Sequence, residues 1–137
     1  MKPIHSSEVY IDGASLGNPG PAGVGVVFVD AHAHPVRQFS KYVGQTTNNV
    51  AEYLALLYAL QEARQAGYTR LTVKTDSELL ARQVSGQYKV RDPQLRVLHD
   101  LALHAMGALR GCAVHHIPRT LNASADRLAG LAAKRGA

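Results

Sequence analysis

The chain has a single cysteine, Cys112, and no tryptophan in 137 residues. One cysteine excludes an internal disulfide and a cysteine-based zinc site. Aromatic residues make up only 6% of the chain, too few for the stacking platforms on which single-strand binders hold bases. No apolar run approaches the ~18 residues of a membrane-spanning helix. The opening residues Met1 to Glu8 lack the apolar segment of a secretory signal. These absences lead to the expectation of a soluble, cytoplasmic protein without a membrane partner. Acids are also scarce: ten Asp and Glu against fifteen Lys and Arg, a net charge of +5. That surplus suits a polyanion such as nucleic acid, although its size is also ordinary for solubility.

What is present is a foldable core. Hydrophobic residues reach 46% and charged residues 18%, which excludes disorder. The length suits one domain over residues 1–137. Strands are predicted at Glu8–Ile11, Gly23–Val29 and Val36–Val43, joined by short turns as an antiparallel meander. The period then changes: Tyr53, Leu56, Leu57 and Leu60 recur at i, i+3, i+4 and i+7, a helix face. Gly67 ends that helix. A strand at Leu71–Lys74, helices at 77–84 and 94–109, a strand at Cys112–Ile117 and a final helix through Leu128, Leu131 and Ala132 complete the chain. Alternating strands and helices imply parallel pairing through right-handed crossovers. The predicted class is α/β, of the mixed α+β kind: one five-stranded mixed sheet, three strands antiparallel and two parallel, with helices on both faces.

Four of the ten acids fall where a predicted strand ends or a helix begins: Asp12, Glu52, Asp76 and Asp126. Each alone has an ordinary explanation. Asn49 and Glu52 read as a capping box, as do Thr75 and Glu78. Asn122 is placed to cap the last helix, and Asp12 to make an Asx turn. Gathered together, four carboxylates would repel and raise one another's pKa, unless a cation neutralises them. Hard oxygen donors of this kind suit Mg²⁺ or Mn²⁺. Two such ions ~4 Å apart can clamp the attacking and leaving oxygens of a phosphodiester. The residues alone thus point to a basic protein with an acidic, metal-binding pocket, in which no organic cofactor is expected.

Four segments then resemble ribonuclease HI, in order and across nearly the whole chain. They are Asp12-Gly13-Ala14-Ser15-Leu16-Gly17-Asn18-Pro19-Gly20-Pro21-Ala22-Gly23, Thr46-Thr47-Asn48-Asn49-Val50-Ala51-Glu52, Thr75-Asp76-Ser77 and Asn122-Ala123-Ser124-Ala125-Asp126-Arg127-Leu128-Ala129. The resemblance implies the RNase H-like fold and hydrolysis of the RNA strand of an RNA/DNA hybrid, with two Mg²⁺ ions, Mn²⁺ as a possible substitute, and 5′-phosphate products. It matches Asp12, Glu52, Asp76 and Asp126 to the family's catalytic, metal-holding carboxylates. It matches Asn18, Asn48 and Asn49 to minor-groove contacts and Thr47 to a phosphate contact on the DNA strand. The backbone at Gly13 and Ala14 falls beside the RNA sugars. One of Asn48 and Asn49 is expected to cap the helix while the other reaches the nucleic acid. A 2′-OH is both donor and acceptor, so amides and carboxylates suit it. A monomer is expected.

Three departures from the family pattern stand out. The segment His115-His116-Ile117-Pro118-Arg119-Thr120-Leu121-Asn122 lacks the family's Gly-His-x-Gly-His loop. His116 or Arg119 is left to take the place of the loop histidine, with Arg119 the cation beside the scissile phosphate. Gln87 to Pro93 replaces the basic, tryptophan-containing protrusion of longer members, leaving Arg82, Lys89, Arg91 and Arg96 as a smaller footprint. Glu78 stands where many members have a neutral amide. Only seven residues precede the first predicted strand, so no N-terminal hybrid-binding module is expected. The first strand carries Asp12-Gly13-Ala14, not the Asp-x-Glu of related 3′→5′ exonucleases. The competing reading is a catalytically weak or silent module of the same fold that binds hybrid or double-stranded RNA.

Overall fold

A computed structural model describes residues 5–136. Three strands run first: β1 (Ser6–Ser15), β2 (Gly20–Val29) and β3 (Pro35–Thr46). The long helix α1 (Asn48–Gln65) follows, then β4 (Arg70–Thr75), α2 (Glu78–Val84), α3 (Pro93–Gly107), β5 (Gly111–His116), a 3₁₀ turn (Arg119–Leu121) and α4 (Ala123–Gly136). The sheet order is β3-β2-β1-β4-β5. β1, β2 and β3 pair antiparallel; β4 pairs parallel with both β1 and β5. The five-stranded mixed sheet is the one the residue pattern called for.

Period-2 alternation sorts the sheet's side chains between two layers. Val9, Ile11, Val24, Val26, Phe28, Leu71 and Val73 face the helix side and pack on α1 residues Tyr53, Leu56, Ala59 and Leu60. Val27 and Val29 point the other way, toward Leu128 of α4. The odd positions of β2 also include Gly23 and Gly25, and these let α4 lie against the strand. A methyl group on Gly25 would fall on the Ala125 carbonyl and the Ala129 amide. Helices therefore do cover both faces.

Three local expectations change. β1 does not end at Asp12; it continues to Ser15, paired with β2 throughout. Hydrogen bonding to β2 carries the strand through turn-rich sequence. The cap of α1 is Thr47, whose hydroxyl accepts the Val50 N–H at 3.3 Å. Asn48 and Asn49 are the first helical residues, so neither is the cap. The cap of α2 is Ser77, accepting from Leu80 N–H, while Thr75 accepts the Ser77 N–H.

Candidate metal centre

The centre is made by a difference in strand length. The β1–β4 ladder ends at the pair Ile11 and Thr75, while β1 runs on. Past that point the β4 side of β1 has backbone groups with no strand to meet them. Two side chains take them instead. The Gly13 N–H donates to Glu52 Oε1 at 2.5 Å, and the Ile11 carbonyl accepts from Asn122 Nδ2 at 2.8 Å. Gly13 is required here because a side chain would strike the Ala51 backbone of α1. The close approach of α1 to β1 is what brings Glu52 into the centre.

Asp76 enters from the end of β4, and Asn122 Nδ2 stands 3.4 Å from its Oδ2. Asp12 faces the α4 layer, opposite Gly25 in the β1–β2 register. The bare glycine lets Ala125 press on the strand there, so the next residue of α4, Asp126, comes beside Asp12. Asp12, Glu52 and Asp76 each offer an oxygen within 4.8 Å of the other two. Asp126 lies outside that tight set but lines the same cleft of about 410 Å³, with Gly13, Ala14, Asn48 and Arg119.

The electrostatics follow from burial. Asp12 is 4% exposed and Glu52 5%. Burial pushes the Asp12 carboxyl far up, and Glu52, Asp76 and Asp126 push it further. Glu52 is also raised, first by burial; the Gly13 N–H opposes this and Asp76 adds to it. Carboxylates that crowd one another in a desolvated pocket favour sharing protons or holding a cation. All donors are hard oxygens, the set that suits a divalent ion of the Mg²⁺ or Mn²⁺ kind.

Of the other predicted site residues, Gly13, Ala14, Asn48 and Arg119 line this cleft, while Asn18, Thr47 and Asn49 are not among its lining. Asn18, in the turn after β1, accepts the Asn48 N–H at 2.9 Å and so ties that turn to the start of α1. Asn49 sits beside it in the same exposed first turn. Thr47 spends its oxygen on the helix cap but keeps its own O–H as a donor. Arg119 lines the cleft, with Nη2 3.5 Å from Asp126 Oδ1. His116 does not line it. It faces a separate groove against α2, so of the two candidates for the absent loop histidine only Arg119 adjoins the acids. Glu78 pairs with Arg82 at 3.2 Å, although it still forms part of the cleft wall.

Residue-by-residue reading missed the role of Asn122. It is 1% exposed, and its side chain joins Ile11 to Asp76 instead of capping α4. Its Oδ1 is buried without a hydrogen-bond partner. Its spacing before Asp126 was legible, but nothing local announces a contact 111 residues back along the chain.

A family model described as "Reverse transcriptase-like" matches residues 10–132. Ribonuclease HI of Halobacterium salinarum is 39% identical over 120 residues, covering 88% of this chain and 60% of its own length. The "Bifunctional protein Rv2228c" of Mycobacterium tuberculosis is 40% identical over 122 residues, again 88% of this chain but 34% of its own. The chain thus spans between a third and three-fifths of the length of these curated relatives. Among solved structures, RNase H1 of Halobacterium salinarum superposes with a TM-score of 0.92 at 37% identity, covering 95% of this chain and 98% of that one. LC11-RNase H1, solved in complex with RNA/DNA hybrid, superposes with a TM-score of 0.89 at 40% identity, covering 94% and 97%. With the fold, the acid cluster and these likenesses in agreement, the chain belongs to the ribonuclease HI family.

Proposed function

We propose that this protein is an endoribonuclease that hydrolyses the RNA strand of RNA/DNA hybrids and leaves 5′-phosphate ends. One observation carries the reading: the four acids matched to the family's carboxylates all line a single cleft, three of them within 4.8 Å of one another. Two Mg²⁺ ions, or Mn²⁺ in their place, would supply activation of the attacking water and stabilisation of the leaving 3′-oxygen.

The chain's own residues do the rest. Asp12, Glu52, Asp76 and Asp126 would hold the ions. The Gly13 N–H aims the Glu52 carboxylate, and Asn122 holds Asp76. Arg119 offers a cation beside the cleft, where charge develops on the phosphate. Asn48 on the cleft wall, Asn18 bonded to it and the neighbouring exposed Asn49 would supply amides suited to 2′-OH and base edges in a minor groove. Thr47 offers its O–H to a phosphate of the DNA strand. None of these groups reads sequence in a major groove, so the reading is of shape and sugar. A likeness to a relative solved with RNA/DNA hybrid supports the same substrate. We take the working unit to be a monomer.

Digestion of a fluorescent hybrid beside single-stranded RNA, RNA duplex and DNA duplex, in Mg²⁺ and in Mn²⁺, tests this. Cleavage confined to the RNA of the hybrid is expected. Intact hybrid in both ions, with binding preserved, would overturn it and leave a silent hybrid-binding module.

A further inference from the structure

His116 and Arg82 are not used by the acid cleft, yet they face one another across a second depression. The groove between α2 and the edge strand β5 has a volume of about 440 Å³ and is lined by Arg82, Ser85, Gln87, His115 and His116, with Ala81 and Val114 as its floor. Among the described residues, no carboxylate lines it. Register places His116 opposite Thr75, one residue before Asp76. The same pairing puts it on the face of the sheet shared by Val73 and Thr75, toward α2.

The guanidinium of Arg82 is held in place without being used up. Nη1 donates to Gln87 Oε1 at 2.8 Å, Nη2 to Glu78 Oε2 at 3.2 Å, and the group lies over the Tyr88 ring. An arginine carries five N–H donors; Nε is buried, and the two bonds named leave one N–H on each of Nη1 and Nη2 for a ligand. Some of the carbonyls at the C-terminal end of α2 are already engaged. Those of Arg82 and Gln83 are taken by the N–H groups of Gly86, Gln87 and Tyr88.

We propose that this groove binds a backbone phosphate of the strand that enters the acid cleft. The inference rests on the hybrid-cleavage reading and extends it. The scale fits. Glu78, on the cleft wall, and Arg82 are one helical turn apart, about 6 Å along α2. Adjacent strands lie ~4.8 Å apart, which sets His116 that far from the end of β4. A nucleic-acid strand advances about 3.4 Å per nucleotide, so the groove meets a phosphate one or two nucleotides from the cut. It gives this chain, which lacks the basic protrusion of longer relatives, a second hold on the strand.

The test uses a hybrid with one defined cleavage position and neutral methylphosphonate linkages one and two nucleotides to either side of it. Wild-type enzyme is expected to show KM about 5-fold to 10-fold higher on the substrate with the neutral linkage at the groove, with kcat within about twofold. Arg82→Gln and, independently, Ser85→Asp should raise KM to a similar extent on the all-phosphate hybrid. Neither should be penalised further by the neutral linkage. The salt dependence of kcat/KM should become shallower by about one in logarithmic slope for Arg82→Gln. Neutral linkages that penalise the variants as much as wild type would overturn the groove. Wild-type enzyme that leaves the all-phosphate hybrid uncut would overturn instead the reading on which the inference rests.

Discussion

At the scale of single residues, the centre is a set of charges held closer than water would allow. Asp12 is the most constrained of them: buried, and raised by three neighbouring acids. Asp12→Asn keeps the shape and removes one charge. Hybrid cleavage should fall by about a thousandfold or more, the several kcal/mol expected for losing a metal-holding oxygen. The same variant should melt at higher temperature than wild type in EDTA, because one repelling charge is gone. A variant that cleaves normally would remove Asp12 from the chemistry. Asn122→Ala makes a different prediction. It leaves the Ile11 carbonyl buried and unpartnered, which costs about 1–3 kcal/mol, and frees Asp76. Denaturant titration should show the loss, and kcat should fall with it. How much of this was legible differs by residue. The four carboxylates and Asn48, which meet at one cleft, could be picked out from short motifs because each motif is local, whereas the choice between His116 and Arg119 was left open by a segment without the family's loop motif. Asn122's bond to Ile11 was not, because neither partner has any local feature that names the other.

At the scale of elements, two glycines decide where the acids go, and a third does not. Gly25 admits α4 against β2 and so sets Asp126 beside Asp12. Gly25→Ala should force the helix away, costing about 1–3 kcal/mol by overpacking and reducing cleavage at the same time. Gly130 lies within α4 with nothing within 4 Å of an added methyl. Gly130→Ala should therefore stabilise the protein by up to about 1 kcal/mol through helix propensity alone. Thermal denaturation of the pair checks both signs, and equal losses would refute the packing argument. The elements themselves were mostly legible, since helix and strand periods differ. Strand ends were less so. β1 overran Asp12 because its pairing with β2 is worth more than the turn preference of its residues, and pairing is a tertiary fact. Caps shifted for a similar reason: Thr47 and Ser77 stand at the points where the preceding strands release the chain.

At the scale of the whole molecule, the cluster sets how stability depends on pH. Asp12 and Glu52 start from ordinary values of 3.8 and 4.5 and are both raised on folding, Glu52 to about 8. A raised carboxylate binds its proton more tightly folded than unfolded. Its contribution is therefore complete below the unfolded pKa and is lost as pH climbs through the folded one. In EDTA, the stability gap by which Asp12→Asn exceeds wild type should widen from pH 5 to pH 9. Saturating Mg²⁺ or Mn²⁺ should close it by binding the wild-type folded state. Melting curves across that range measure the gap, and one that stays constant would show that the acids do not share their charge as described. Divalent binding should also release protons near pH 8, visible as calorimetric heats that change with the buffer.

The sequence by itself determined the kinds of chemistry this protein holds. Periodicity set the sheet and helices, and four short motifs named the acids, because each of these signals is carried by neighbours in the chain. Only the tertiary structure decided which groups meet. It ended β4 one residue before Asp76 while β1 ran on, brought α1 and α4 against the bare backbone of Gly13 and Gly25, and sent His116 to α2 and Arg119 to the acids. Those outcomes depend on contacts between residues far apart in sequence, whose energies exist only once the layers have packed.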